Sequence, residues 1–496
     1  MPKRDKRQVE YGDFQTPDAL ANQVVALLRS QGVRPASVVE PTCGVGAFVL
    51  AAMGGFESVQ RIVALEIDRD YFSQAEARLS KQPHGACLDL RRADFFSFDW
   101  ATALRALPQP LLILGNPPWV TSAGMGALQG SNLPEKSNFQ GHRGLDAITG
   151  KGNFDIAEWM LIKLLEAASD ANATLAMLVK TSVARRVLMH AWRSKMPLRS
   201  SAIYTFDSGK HFDVAASACL LLCELGDGRS DTDCNVFELD RPASVVGQIG
   251  FRDGRLIADV RAYDRVQRLV VERPSKEFRW RSGVKHDCSP VMELRRQSID
   301  SFVNGLGEVV RLEPDFVYPM MKGSDVAGAR GTLGERWMIV PQCSTSDDTS
   351  AIAEIAPRTW EYLTKHGDAL DRRGSSIYRK RPRFAVFGIG PYTFAPWKVA
   401  ICGLYKRAAF IVAGPHDERP VVFDDTVYHL SFDSEDRARM ICRLLNSDRA
   451  RDFFNATAFW DAKRPITADV LGRLDLHALA RECGEELKGN EVALLW

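Results

Sequence analysis

Short β-rich runs alternate with amphipathic segments from about Ala19 to Leu225, and this alternation constrains the fold more than any other feature of the chain. Segments such as DALANQVVALLRSQG and FDIAEWMLIKLLEAA place apolar residues at helical spacing, and Gly32 is placed to end the first helix. Such alternation is typical of an α/β domain with a doubly wound, mostly parallel sheet. The predicted strands number seven: SVVE, RIVALEID, LDLRRAD, LLILGN, TLAMLVK, AIYTF and ACLLLCEL.

The remaining half of the chain predicts a second domain. The chain has 496 residues, which is more than one hydrophobic core normally holds. The polar stretch GDGRSDTDCN at residues 226–235 favours a boundary, which gives domains at residues 1–235 and 236–496. Beyond it, β-rich runs such as RFAVFGIG mix with helical runs such as SEDRARMICRLLNS, so we expect a mixed α/β fold there.

Composition and apolar patterning exclude several classes of protein. With 45% hydrophobic and 25% charged residues, the chain has the composition of an ordinary globular protein. Its longest apolar run, ASACLLLCEL, is shorter than the roughly 18 residues that span a bilayer, so no membrane partner is expected. The charged N-terminus lacks the apolar core of a secretory signal, which favours a cytoplasmic location. Ten cysteines without a C-x-x-C pair indicate neither a disulfide framework nor a metal site.

The first predicted strand leads into a glycine-containing turn, EPTCGVG. Glu40 ends the strand, and Gly44 and Gly46 follow where the chain enters a helix, so a ligand could approach the backbone closely. Glu66 stands at the end of the next strand, where a carboxylate can bind ribose hydroxyls. The pattern favours a site for a nucleoside-containing cofactor. A simple tight turn with a solvated strand-end acid is the alternative.

The segment LLILGNPPWV places a polar group directly after a buried strand. Asn116, Pro117, Pro118 and Trp119 lie at the carboxyl end of that strand, where open α/β sheets bind ligands. The prolines remove two N–H donors and leave carbonyl oxygens free, while the asparagine adds an amide oxygen and the tryptophan a flat face. These groups predict a clamp for a planar ligand with an NH₂ group. A proline turn beside a core tryptophan is the alternative.

The order of six segments resembles that of a known enzyme family. FQTP, EPTCGVG, LEID, ADFF, NPPW and GNFDIAEWM follow one another within roughly residues 11–225. They are similar to the motifs of S-adenosylmethionine-dependent DNA adenine-N6 methyltransferases of the gamma motif order, from restriction-modification systems. The resemblance implies a catalytic domain followed by a target-recognition domain, with S-adenosyl-L-methionine as cofactor and double-stranded DNA as partner. It leaves open whether a separate cognate restriction endonuclease is a further partner.

The resemblance also implies roles for individual residues. One group would line the methionine end of the cofactor, Glu66 would bind its ribose, and two residues would hold its adenine. Asp155 would lie near the site, with a simple helix N-terminal acid as the alternative. The methionine end would contact Thr16, Pro17, Glu40, Cys43 and Gly44, the adenine would contact Asp94 and Phe95, and Asn116 would also reach the cofactor.

Methylation of adenine N6 needs few groups. The N6 lone pair is delocalised into the ring, and two acceptors can localise it towards the methyl group. By the resemblance, these would be the side-chain oxygen of Asn116 and the carbonyl oxygen of Pro117. Transfer is then direct, so Cys43 is better interpreted as a packing or cofactor-lining residue than as a nucleophile. A paired base cannot reach such a pocket, so the adenine must be flipped out. Trp119 would stack on it, and so would Phe212, for which an ordinary core role is the alternative.

A basic segment of the second half predicts contact with DNA. DRRGSSIYRKRPRF combines clustered cations with Ser, Gly and Pro residues, which indicates a loop. Clustered arginines suit phosphate and guanine, and a solvated basic loop is the alternative. The six cations are Arg372, Arg373, Arg379, Lys380, Arg381 and Arg383.

Other functions use similar motifs. Methyltransferases of the same fold act on cytosine N4, on amines of RNA bases or on protein glutamine amides, since each target presents a planar NH₂ group. The FQTP element and the large second domain favour DNA over RNA or protein. A non-catalytic DNA-specificity subunit is a further alternative, which the intact NPPW segment disfavours.

Overall fold

A computed structural model describes residues 14–82, 85–120, 155–227, 230–328 and 335–487. It divides into two compact units, Met1–Val260 and Arg261–Trp496, called here the N-terminal and C-terminal units. The predicted boundary at residue 235 falls inside the first of these units. Each unit has its own sheets and its own buried cores.

The N-terminal unit is built on one ten-stranded sheet with the order β10-β9-β8-β6-β7-β5-β4-β1-β2-β3. The strands β5, β4, β1, β2 and β3 run parallel to one another, and β7 lies antiparallel between β5 and β6. The predicted doubly wound, mostly parallel α/β fold is therefore confirmed. The strands predicted from sequence are β1 (Ser37–Glu40), β2 (Arg61–Glu66), β3 (Cys87–Arg92), β4 (Leu111–Gly115), β5 (Ala173–Lys180), β6 (Leu198–Asp207) and β7 (Ser217–Leu225).

Three further strands extend the sheet beyond the predicted seven. They are β8 (Asp233–Glu238), β9 (Arg241–Arg252) and β10 (Arg255–Ile257). Strand β8 pairs parallel with β6, and β9 folds back along it as a hairpin. The polar stretch at 226–235 therefore includes the connection between β7 and β8. Polar stretches of this composition occur in connections within domains as well as between them.

Helices connect the strands of the N-terminal unit. The first ends where the sequence predicts, because Gly32 adopts a positive φ of 84° just after the last turn. Its buried face includes Leu20, Val24 and Leu28, which pack into the core beside the sheet. The helices are α1 (Asp18–Ser30), α2 (Ala47–Gly55), α3 (Arg69–Leu79), α4 (Trp100–Arg105), α5 (Ile156–Ala167), α6 (Thr181–Arg193) and α7 (Ser208–Phe212).

The direction of the sheet reverses between β1 and β4. From β1 the chain moves through β2 to β3, then crosses back to β4 and continues outwards to β5. Ser37 pairs with Leu111 and Val39 with Ile113, so the two strands end side by side. Open α/β sheets bind ligands at this reversal point, outside the carboxyl ends of the strands. Both the glycine turn and the NPPW segment begin there.

The C-terminal unit has a mixed α/β fold with two sheets, as expected. One sheet has the order β11-β20-β17-β18 and the other β14-β13-β12-β16-β15-β19. The strands are β11 (Arg281–Ser282), β12 (Glu293–Arg296), β13 (Ser301–Asn304), β14 (Val309–Arg311), β15 (Val317–Met321), β16 (Arg336–Ile339), β17 (Trp397–Cys402), β18 (Ile411–Ala413), β19 (Val422–Phe423) and β20 (Val427–Phe432). The helices are α8 (Val260–Val266, which begins at the boundary between the units), α9 (Ser289–Met292), α10 (Gly323–Ala327), α11 (Ile352–Ile355), α12 (Pro357–Lys365), α13 (Gly367–Asp371), α14 (Glu435–Leu445), α15 (Asp448–Thr457), α16 (Ala468–Gly472) and α17 (Leu476–Glu482).

Candidate active site

The glycine turn after β1 is closely covered by the FQTP element. Gly44 and Gly46 have positive φ values of 53° and 82°, which favour glycine. A Cβ atom on Gly44 would collide with the carboxamide of Gln15. That carboxamide also accepts the Val45 N–H at 3.1 Å. Gln15 is therefore a site residue that the sequence analysis missed, although it lies within the quoted FQTP motif.

Two buried carboxylates bind the backbone of this turn. Glu66 accepts the N–H groups of Gly44 and Asp68, each at 2.8 Å, and Glu40 accepts the Val49 N–H at 3.0 Å. Burial raises the pKa of Glu40 well above its usual value, and the nearby charge of Glu66 adds to the shift while the Val49 N–H opposes it. Amides that could hold a phosphate are thus already occupied by carboxylates. The turn suits a positively charged ligand better than a phosphate.

Cys43 lies in the same turn but is poorly suited to attack a substrate. Its side chain is buried, and its own N–H donates to the Leu65 carbonyl at 2.8 Å. Burial raises the pKa of the thiol strongly, and the charges of Glu40 and Glu66 raise it further, so the thiol stays protonated at neutral pH. This agrees with the non-nucleophilic interpretation. The described residues also contain no group of three or more His, Cys, Asp or Glu side chains that could hold a metal ion.

Asn116 leaves one buried acceptor without a partner. Its Nδ2 donates to the Phe14 carbonyl at 2.8 Å and to the Thr16 hydroxyl at 3.2 Å. Since only the nitrogen can donate to that carbonyl, the amide is fixed with Oδ1 on the other side. Oδ1 is buried and has no hydrogen-bond partner among the described residues. The FQTP and NPPW segments therefore meet at Asn116, and its amide oxygen is left without a donor among the described residues.

Trp119 belongs to a small aromatic cluster. Its ring lies 5.7 Å from that of Phe14 and 5.4 Å from that of Phe212, and these two rings lie 6.0 Å apart. Trp119 is only 5% exposed, and its indole N–H donates to the Leu178 carbonyl at 3.2 Å. Phe14 and Phe212 are partly exposed. The cluster brings the predicted stacking residues together, and its accessible rings are those of the two phenylalanines.

Asp155 is tied to the end of the NPPW segment through a lysine. Lys180, the last residue of β5, donates to Asp155 Oδ2 at 2.8 Å and to the Trp119 carbonyl at 2.9 Å. Asp155 also caps α5 by accepting the Ala157 N–H. Its alternative role as a helix N-terminal acid is therefore real, and it coexists with the ion pair. The residues that precede Asp155 in GNFDIAEWM lie outside the described residues.

Asp94 and Phe95 follow β3, at the same edge of the sheet. Asp94 Oδ1 accepts the Phe96 N–H at 3.0 Å. Phe95 is buried against Trp100, with ring centres 5.0 Å apart, and it faces Trp159 of α5 at 6.2 Å. The sequence analysis did not single out Trp159, whose partly exposed ring adds to the aromatic wall beside Asp94.

The basic segment of the C-terminal unit divides into two kinds of cation. Arg373 donates to the carbonyls of Leu370, His286 and Ala385 and lies 3.7 Å from the centre of the Tyr378 ring. Arg383 pairs with Asp371 at 2.9 Å. These two residues hold the segment in place. Arg383 is nevertheless exposed, and the other exposed members are Arg372, Arg379, Lys380 and Arg381. The segment includes a 3₁₀ helix, Ser376–Lys380, where the sequence predicts only a loop.

Among the helices of the described residues, none combines the length and the hydropathy of a transmembrane span. The open α/β sheet carries a glycine turn and an NPPW segment at its reversal point, which is the arrangement expected from the resemblance to methyltransferases. Comparison with known proteins supports this class. The chain is 44% identical over 480 residues to the type II methyltransferase M.NspV of Nostoc sp.. The aligned residues make up 96% of this chain and 98% of M.NspV. The chain therefore belongs to the type II methyltransferase family, and the predicted methyltransferase class is confirmed.

The fold is also similar to that of the type IIL restriction-modification enzyme MmeI, whose structure was solved in complex with DNA. The similarity has a TM-score of 0.56 at 14% sequence identity and covers 91% of this chain. It covers 63% of MmeI, so the chain spans less than two thirds of the length of that enzyme. No protein-family profile matches the chain.

Proposed function

We propose that the protein is a site-specific DNA methyltransferase that transfers a methyl group from S-adenosyl-L-methionine to the N6 amine of a flipped-out adenine. The observation that carries the proposal is the buried, unpartnered Oδ1 of Asn116. A buried acceptor without a donor costs about 1–3 kcal/mol. An N–H of the target amine would satisfy it. Adenine N6 has two such protons, and the Pro117 carbonyl is the natural acceptor for the second.

The two acceptors explain how the amine becomes nucleophilic. Hydrogen bonds from both N6 protons favour a tetrahedral nitrogen whose lone pair no longer conjugates with the ring. Asn116 is well placed for this because Phe14 and Thr16 hold its amide before substrate arrives. Pro118 has no N–H, so the Pro117–Pro118 step cannot continue a strand ladder. Transfer then needs no covalent intermediate on the protein.

The residues of the glycine turn fit S-adenosyl-L-methionine. This cofactor supplies a methyl group on a positively charged sulfur, and its amino group carries a second positive charge. The buried carboxyl oxygens of Glu40 and Glu66 can each accept more than one hydrogen bond, and a cation bound beside Glu40 would favour the ionised form of that carboxyl. We assign Glu66 to the ribose and Asp94 with Phe95 to the adenine. The methionine end is assigned to Thr16, Pro17, Glu40, Cys43, Gly44 and the nearby Asn116.

DNA as the substrate is supported by the relatives and by exposed charge. M.NspV is named as a type II methyltransferase, and MmeI was solved with DNA bound. Exposed cations in the basic segment, such as Arg379 and Lys380, suit the phosphate backbone. We therefore propose that the C-terminal unit recognises the target sequence. The type II class of the relative also supports a separate cognate restriction endonuclease as a partner.

Expression in a methylation-free bacterial host, followed by modified-base sequencing of the host genome, tests the proposal. We expect N6-methyladenine at one position of one short sequence motif. Modified cytosine in such a motif would contradict adenine as the target base, while the assignment as a DNA methyltransferase would stand. An unmodified genome, together with measured binding of the cofactor by the purified protein, would contradict DNA as the substrate and favour an RNA or protein amine.

A further inference from the structure

The course of the chain after β4 is not fixed by the sheet. Pro117 and Pro118 have no N–H and cannot donate to a neighbouring strand. Contacts other than a strand ladder must therefore fix this segment, which carries both proposed acceptors. At its start, the Asn116 amide is bound to the carbonyl of Phe14 at 2.8 Å. A second attachment is needed at its other end.

Lys180 provides that attachment. Its ammonium donates to the Trp119 carbonyl at 2.9 Å and to Asp155 Oδ2 at 2.8 Å. The Asp155 side chain is only 5% exposed, and its Oδ1 is occupied by the Ala157 N–H. Each carboxylate oxygen thus has its own donor, and the ammonium is held in one position. The contact to a neutral carbonyl is a charge-assisted hydrogen bond, which is stronger than an ordinary one.

A backbone contact joins the same two elements. The N–H of Ile156, the first residue of α5, donates to the Val120 carbonyl at 2.9 Å. The start of α5 and the end of the NPPW segment are therefore joined twice, through Lys180 and through the backbone. Lys180 extends from β5, which pairs directly with β4. The rigid sheet thereby sets the position of the segment at both of its ends.

We propose that Lys180 is a positioning residue for methyl transfer: it fixes the Trp119 carbonyl and so holds the Asn116 and Pro117 acceptors in place. The proposal rests on the proposed function of this segment. Lys180 acts through the backbone and contacts no reacting atom. Its loss should therefore slow the chemical step, while binding of the cofactor and the salt dependence of DNA binding stay unchanged.

The test uses the full-length protein with tritiated cofactor and unmethylated plasmid DNA, under single-turnover conditions. Lys180→Met keeps the aliphatic stem and removes the charge. We expect its transfer rate to fall by about 100-fold, the usual cost of displacing a reacting group by about 1 Å. Lys180→Arg keeps a donor cation and should retain more of the rate. Lys163→Met is the matched control, because Lys163 pairs with Glu166 on the exposed surface of the same α5 helix.

Three outcomes would overturn the positioning role: a Lys180→Met rate within about twofold of wild type, a Lys180→Arg rate no higher than that of Lys180→Met, or a reduced salt slope that reveals a DNA phosphate contact. Asp155→Asn tests the same ion pair if Lys180→Met does not fold, because it keeps a capping oxygen for Ala157. Its rate should also fall, and a wild-type rate would overturn the proposal. Inactive wild-type protein would instead contradict the proposed function itself.

Discussion

The candidate active site of the N-terminal unit and the basic segment of the C-terminal unit present their polar groups in opposite ways. Asn116 is held by two hydrogen bonds and leaves one buried atom unpaired. In the basic segment, Arg373 donates its hydrogen bonds to backbone carbonyls of the protein, whereas other cations, such as Arg379, are exposed to solvent. A buried acceptor without a partner gains the whole free energy of a hydrogen bond when a donor binds to it. An exposed cation gains less from a phosphate, because it gives up hydrogen bonds to water in exchange. Single substitutions should therefore have large effects at the first region and small ones at the second.

The largest effect should come from Asn116→Ala. Losing one preorganised polar group of this kind commonly costs about 3 kcal/mol in the reaction barrier, or about 100-fold or more in rate. Cofactor binding should be nearly unchanged, because the lost oxygen serves the target amine. Transfer is measured with tritiated cofactor and plasmid DNA, and cofactor affinity by calorimetry. Asn172→Ala, at an exposed position before β5, is the matched control. Turnover of Asn116→Ala near the control value would refute the clamp.

The aromatic cluster offers a finer test of the same edge. Phe212→Ala should weaken capture of the flipped base by about 1–3 kcal/mol, the scale of aromatic stacking on a base. Trp119→Ala should weaken it as well and should also lower the free energy of unfolding, since Trp119 is buried. Fluorescence of 2-aminopurine at the mapped target position reports the flipped state. Phe98→Ala, a partly exposed ring outside this cluster, is the control. Unchanged base extrusion in both variants would assign the cluster to the core alone.

Local pattern accounts for what the sequence predicts well. All seven predicted strands exist: buried strands such as β4 and β5 give short apolar runs, whereas β3 has no buried residue and was found from its β-rich pattern alone. The segments of the candidate site follow parallel strands, whose carboxyl ends lie at one edge of the sheet. The three additional strands were missed because β9 is largely solvent-exposed: Val245 and Val246 are 49% and 55% exposed, so its residues do not form a buried run. The polar stretch before β8 placed the predicted boundary at residue 235, whereas the first compact unit runs to Val260.

Roles that depend on tertiary contacts were not visible in the sequence. Gln15 and Lys180 have ordinary local surroundings, and only the fold brings one to the glycine turn and the other to the Trp119 carbonyl. Arg372 and Arg373 are adjacent in sequence, yet Arg372 is exposed and Arg373 is bound to three carbonyls. The residue types predict a basic surface, but only the path of the backbone determines which of these cations are exposed on it.

Burial of Glu40 gives the candidate active site a dependence on pH. The pKa of Glu40 is raised in the folded protein, so the native state holds a proton that the unfolded chain has already released. The contribution of Glu40 to the free energy of unfolding is fully present below the ordinary glutamate pKa, and it is lost as the pH rises through the raised pKa of the folded protein. The loss amounts to about 1.4 kcal/mol for each unit by which the two pKa values differ. Glu40→Gln should flatten this decline in urea unfolding between pH 4 and 8. A wild-type stability curve parallel to that of Glu40→Gln would contradict the shift.

The smallest effects are expected at the exposed cations. Arg379→Ala and Lys380→Ala should each reduce the log–log salt slope of DNA binding by about 0.9, equally on cognate and unrelated duplexes, because each would remove one phosphate contact. If one of them contacts guanine instead, its loss should weaken binding to the cognate duplex by about 1–3 kcal/mol.

Arg373→Ala is the contrasting variant: it should lower the melting temperature, because three carbonyls and the Tyr378 ring lose their partner. Fluorescence anisotropy at several salt concentrations and thermal melts separate these outcomes. If the salt slope fell with Arg373→Ala and stayed unchanged with Arg379→Ala and Lys380→Ala, Arg373 would be the cation that binds DNA, and our assignment of these residues would be wrong.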